Sequence, residues 1–270
     1  MTLKTEIVSF VIRSSKFPAP DTFVYVKPAY IPYNLFAKIA RKGSRMSPSL
    51  TNTVVPRADL TSADVQSMFN VFRESFEGAT LDIFQRDLCS KNWVILLQDG
   101  ENGKLQGFST LALYETTFDG KPLSVVYSGD TIIRPAYWGT PELPRSWIRT
   151  VLEKSAGLPQ PLYWLLISSG YKTYRFLTVF YKEFYPCHNC PTPPAMQALM
   201  DHLATQRFGD EYQPELGVVR FAKGATPLKD GVAEVTDERL HDPHIAFYVA
   251  RNPGHIQGDE LVCLTRVHPD

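Results

Sequence analysis

Asp130 stands where an acid is least expected. It belongs to Ser128-Gly129-Asp130-Thr131, inside the otherwise apolar run that starts at Val125 and ends at Ile133. An acid within a strand costs stability unless it is paired or hydrogen-bonded. Burial would also lift its pKa toward that of a useful general base. Such a carboxylate can take a proton from an amine or hold a cationic substrate. The plainer use is a structural hydrogen bond to nearby backbone or to Tyr127. Strand alternation puts Ser128 and Asp130 on one face and Gly129 and Thr131 on the other. Ser128 and Tyr127 are the neighbours expected to line a substrate site, and Glu115, on the preceding strand, is a second candidate acid. A glycine inside a strand predicts a bulge or a close approach by another group.

Other chemistry is thinly represented. Cys187-His188-Asn189-Cys190 has zinc-knuckle spacing, but no second pair follows and a four-ligand site needs more donors. No metal is expected, and four cysteines in a chain of this length predict reduced thiols rather than a disulfide framework. Asn252-Pro253-Gly254-His255 is a turn signal first and a source of a base second. There is no Ser-His-Asp order, phosphate loop, dinucleotide fingerprint or metalloprotease helix.

The elements that must position Asp130 are legible. Strands are expected at about 92–98, 105–114 and 122–133, joined at Asp99-Gly100 and Asp119-Gly120, two hairpin signals. Before them, Val54 begins a strand. Thr61 with Asp64 predicts a helix start, and Val65, Met68, Phe69, Phe72 and Phe76 recur at helical spacing over 62–77. Leu81–Cys89 predicts a shorter helix. After Gly139, Leu143, Trp147, Ile148, Val151 and Leu152 share one helical face. The run 162–167 predicts a strand covered on both sides, and Tyr171, Tyr174, Leu177, Tyr181 and Phe184 describe a helix. A further helix is expected over 195–208, a short strand over 217–221, and closing strands at 246–250 and 260–267. Towards the start, short strands are expected near 7–12 and 22–26 and a helix near 33–41.

The order of strand, two helices, three-stranded meander, helix, strand and helix over roughly 52–186 resembles the GCN5-related N-acetyltransferase (GNAT) superfamily. The resemblance implies an α/β fold: a mixed, mostly antiparallel twisted sheet with helices on both faces, here elaborated at both termini. It divides the chain into a basic arm over 1–50 packing on the core, a GNAT-like core over 51–186, and an extension over 187–270 completing the sheet. It implies an acyltransferase moving an acyl group, acetyl above all, from a thioester to the amine of a small molecule, with acetyl-CoA or another acyl-CoA as co-substrate. Ile133, Arg134, Trp138, Gly139, Thr140 and Arg145 fall where the family cradles the pyrophosphate. Here Trp138 stands at the Gln/Arg position of the family loop, and Pro141 and Leu143 stand at its glycine-type positions. Proline has no N–H to donate, so Arg134 and Arg145 are the candidate substitutes. Tyr181 matches the tyrosine that protonates the leaving thiolate in many members, and Asp130 would be the base. The altered loop also admits an acyl carrier protein as donor, or a non-catalytic binding module.

Bulk properties exclude less than they permit. The chain has 270 residues, 44% hydrophobic and 21% charged, with zero formal net charge, so nucleic acid is not an expected partner. Residues 1–50 carry a net charge of +6 and the remainder −6. That asymmetry suits an acidic partner such as a carrier protein, and equally a solvated basic face. No secretory signal or membrane-length apolar run is present, which predicts a cytoplasmic protein. Acceptor and oligomeric state are not legible.

Overall fold

The computed structural model describes residues 49–221 and 226–267. The arm expected over 1–50 and the elements expected within it lie outside the described residues. No helix among the described residues is long and apolar enough to cross a membrane.

The chain opens with β1 (Leu50–Pro56), α1 (Ser62–Ser75) and α2 (Leu81–Cys89). The meander follows as β2 (Trp93–Asp99), β3 (Leu105–Phe118) and β4 (Lys121–Ile133), then α3 (Glu142–Ser155), β5 (Leu162–Ser168) and α4 (Tyr171–Phe180). The last part holds α5 (Pro194–Phe208), β6 (Tyr212–Gln213), β7 (Val218–Val219), α6 (Asp237–Leu240), α7 (Pro243–Arg251) and β8 (Glu260–Val267). One sheet runs β1-β2-β3-β4-β5-β8-β7-β6, with β4 and β5 its parallel pair.

Local chemistry accounts for these elements. Thr61 and Asp64 form a reciprocal capping box at the start of α1. Asp119 and Gly120 both have positive φ, as a tight hairpin between β3 and β4 requires. Alternate strand residues feed opposite cores. Ile95, Leu97, Leu111 and Val126 meet α3, α4 and α7 on one face. On the other face Val94, Leu96 and Phe108 meet α1 and α2, while Val125, Tyr127 and Leu165 meet α5. Each fully buried large apolar side chain contributes roughly 1.5–3 kcal/mol.

Three expectations fail locally. Residues 246–250 lie in a helix, not a strand. Asp242 accepts from the His244 N–H at 2.9 Å and Pro243 takes the first turn, which starts a helix that a five-residue apolar run is too short to reveal. The helix bearing Tyr174 stops at Phe180, so Tyr181 and Phe184 are off it. Tyr185 exchanges two 2.8 Å backbone bonds with Leu264 of β8, and Pro186 disfavours helix at the preceding residue. The cysteines at 187 and 190 are joined as a disulfide rather than held as reduced thiols.

Candidate functional site

β4 carries one residue more than its partner just before its end. Ser109 pairs with Thr131 but Leu111 pairs with Ser128, so the extra residue falls at Gly129-Asp130. This is the bulge the glycine predicts. Pairing between β4 and β5 also ends here, at Ser128–Leu166, while β5 continues against β8 as far as Ser168–Leu261. Asp130 therefore sits where β4 and β5 part.

The bulge breaks the alternation that would put Ser128 and Asp130 on one face. Ser128 points toward α3. Its Oγ accepts from Trp147 Nε1 at 3.0 Å and from Trp164 Nε1 at 2.8 Å, so both lone pairs are taken and its role is structural. Asp130 instead senses groups brought by α2 and β8. Burial is the main force raising its pKa, the negative charge of Asp87 adds to it, and Lys91 opposes them; the carboxyl is pushed up to about 7.

The companions are themselves unusual. Lys91 follows α2, and its side chain, fully buried, turns back to close the helix end. It donates to the Asp87 carbonyl at 3.1 Å, the Asp87 carboxylate at 2.6 Å and Ser90 Oγ at 3.1 Å. Glu260, the first residue of β8, is pushed up to about 8, mainly by burial, with Asp130 and Asp87 adding and the Ser169 hydroxyl opposing. Tyr127 is sandwiched between cations: Lys91 Nζ lies 5.3 Å and the Arg207 guanidinium 3.6 Å from its ring centre. Burial holds its phenol well above the usual range. The buried Lys91 ammonium pairs with Asp87, and its charge also reaches Asp130 and Glu260 beside the opening of the sheet.

Asp130 and Tyr127 come together here. Glu115 does not: it is exposed and pairs with Ser124, at the far end of the hairpin. Tyr181 lies on the opposite face, 5.6 Å ring to ring from Trp164, with its phenol kept protonated by burial. His255 is tied into its turn by the Asn252 carbonyl at 2.8 Å. Asp87, Lys91 and Glu260 escaped sequence reasoning. Asp87 and Lys91 look like a solvated i,i+4 pair, and Glu260 follows Gly258-Asp259 as an ordinary turn exit would. Only the insertion of β8 beside β5 brings them together.

The loop from β4 to α3 is built differently from a phosphate cradle. Arg134 is clamped by Glu74 at 2.6 and 2.7 Å and donates to the Leu105 carbonyl at 2.7 Å. The Ile133 carbonyl is occupied by Trp138 Nε1 at 2.8 Å, and Thr140 Oγ1 turns back to the Tyr137 carbonyl at 2.9 Å. Gly139, at positive φ, makes the turn, and Arg145 is exposed. At the start of α3, Pro141 and Pro144 offer no N–H, and Glu142 places a carboxylate held by Asn52 and Ser146. Lys172 of α4 stacks on the Trp138 ring, 3.3 Å from its centre. These residues do not fit a pyrophosphate: the backbone donors are few, Arg134 is engaged by Glu74, and the Glu142 carboxylate stands at the helix start.

A five-strand core in the order β1-β2-β3-β4-β5, parallel at β4–β5, bulged in β4 and splayed beyond it, decides the architecture. The arrangement is similar to the GNAT fold. No family model matches the chain, and no curated protein is significantly similar to it. Among solved structures, the chain is similar to a GNAT family N-acetyltransferase of Escherichia coli in complex with CoA: 16% identity over 49% of this chain and 71% of that one, TM-score 0.35. It is similar to an acetyltransferase of Trypanosoma brucei at 15% identity, over 53% and 99% of the two chains, TM-score 0.37. A conserved Enterococcus faecalis protein of unknown function matches at 16% identity, TM-score 0.36, over 47% of this chain and only 31% of its own length. The likeness is one of fold alone, over about half of this chain.

Proposed function

We propose that this chain transfers an acyl group from a pantetheine thioester to the amine of a small molecule, with Asp130 as general base. The observation that carries this is Asp130 itself, a carboxyl at the splay of β4 and β5 whose pKa is pushed up to about 7. A base poised near the working pH removes a proton from an ammonium most effectively. The neutral amine then attacks the thioester carbonyl, and the departing thiolate takes a proton. Tyr181, on the opposite face of the sheet, is not placed to give it, so water at the opening of β4 and β5 is the proposed source. The clamped Arg134, Pro141 and Glu142 point to a donor gripped by its acyl-pantetheine portion, as on an acyl carrier protein, rather than an acyl-CoA anchored by its pyrophosphate.

A non-catalytic binding module is the second reading, favoured by the Trp138–Lys172 contact across the loop. Calorimetry with acetyl-CoA, a longer acyl-CoA and desulfo-CoA, beside transfer assays from acylated carrier protein to a panel of small amines, separates the readings. Transfer that Asp130→Asn abolishes without unfolding the protein supports the enzyme. Micromolar binding of CoA overturns the proposed donor. No transfer from any donor, with Asp130→Asn binding ligands as the unsubstituted protein does, leaves the binding module.

A further inference from the structure

We propose that Cys187 and Cys190 form a reversible dithiol–disulfide centre that exchanges with a small-molecule thiol couple. The two are three positions apart, with Cα atoms 5.5 Å apart, so the bridge fastens no distant segments together. A cross-link closing so short a loop removes the least entropy from the unfolded chain, which argues against a structural purpose.

The backbone holds the pair in place independently of the sulfur bond. Cys187 and Cys190 pair as an antiparallel bridge around the turn His188-Asn189. Pro186, Pro191, Pro193 and Pro194 stiffen both flanks. Tyr174 Oη donates to the Pro186 carbonyl at 3.1 Å, and Tyr185 anchors the approach on β8. Reduction therefore leaves the two sulfurs facing each other and ready to close again.

The surroundings suit exchange. Both cysteines are partly exposed, whereas Cys263 is fully buried, and burial raises its thiol further. His188, in the turn between the two cysteines, has its ring 5.9 Å from that of His244 between ring centres. His244 keeps a buried Nδ1 with no hydrogen-bond partner among the described residues. Partial exposure lets a small thiolate reach either sulfur, which exchange requires.

The exchange balances. A thiolate of a small dithiol attacks one sulfur, the Cys187–Cys190 bond breaks, and the released sulfur takes up a proton. The second thiol of the reductant then resolves the mixed disulfide. Two electrons and two protons pass to the pair, and the reductant becomes a cyclic disulfide.

Thiol counting on the folded chain, poised in mixtures of reduced and oxidised dithiothreitol, tests this. Two additional reactive thiols per chain should appear on reduction and disappear together in one two-electron step. Glutathione disulfide should restore the bridge, and Cys190→Ser should trap one glutathione on Cys187. A bridge that resists millimolar dithiothreitol in the folded protein would be structural and overturns the proposal. So would a reduced pair that glutathione disulfide leaves open.

Discussion

Lys91 lies where a side chain on Gly129 would be. A β-carbon at that position would fall 2.3 Å from Lys91 Cε and 2.7 Å from Thr110 Oγ1. The glycine at the β4 bulge thus lets a buried ammonium cross the strand and reach Asp87. Thr110 is itself fully buried with its hydroxyl unpartnered among the described residues, so it has no slack to give. Gly129→Ala should force the lysine stem aside and lower stability by about 1–3 kcal/mol, the usual cost of overpacking. Thermal unfolding followed by circular dichroism measures it. A variant that melts with the unsubstituted protein would remove Lys91 from this position.

Asp130 and Glu260 make the fold sensitive to alkali. Both carboxyls are raised when folded, to about 7 and about 8. Between the unfolded values near 4 and these, the folded state holds more protons than the unfolded one. Stability is therefore full below about pH 4 and falls as pH rises through 7 and 8, by an amount on the order of a few kcal/mol. Asp130→Asn should remove the lower part of that slope and leave the part due to Glu260. Urea unfolding at a series of pH values is the measurement, and a stability that rises from pH 5 to 8 contradicts the buried cluster.

Ser128 joins two indoles that no other group among the described residues serves. Ser128→Ala leaves the Nε1–H groups of Trp147 and Trp164 buried without their acceptor. Each stranded donor costs about 1–3 kcal/mol. The expected result is a less stable protein with altered tryptophan fluorescence, since these rings lie 4.1 Å apart and share that acceptor. Unchanged emission and melting would mean that the indoles find other partners.

The sheet was legible because its signals are local. Asp99-Gly100, Asp119-Gly120, the Thr61–Asp64 cap and the apolar periods place β2, β3, β4, α1 and α2 close to their observed limits. The helix over 243–251 was hidden because its start depends on one side-chain cap at Asp242. Of the site, Asp130 betrayed itself as an acid in an apolar strand, and Gly129 announced the bulge. The face that Asp130 uses was not legible, because a single inserted residue reverses alternation. Lys91, Asp87 and Glu260 were invisible for a different reason. Nothing in the types or spacing of an i,i+4 pair at the end of α2 and a glutamate at the head of β8 says that three distant segments converge.

Glu142 is the clearest statement about the donor. Its carboxylate occupies the start of α3, where a helix dipole would otherwise attract an anion, and Asn52 and Ser146 hold it there. An incoming pyrophosphate meets a like charge as well as the missing donors of Pro141 and Pro144. CoA should therefore bind the unsubstituted protein only at millimolar concentration. Glu142→Gln removes the repulsion while keeping the hydrogen bonds, and should tighten binding by up to about fivefold, the scale of roughly 1 kcal/mol for one partly exposed charge at a helix end. The loss of the favourable dipole contact should cost the helix less than about 1 kcal/mol. Calorimetry of CoA and desulfo-CoA against both proteins decides the matter. Equal, micromolar affinities would show that the phosphates bind away from α3 and that Glu142 does not govern the choice of donor.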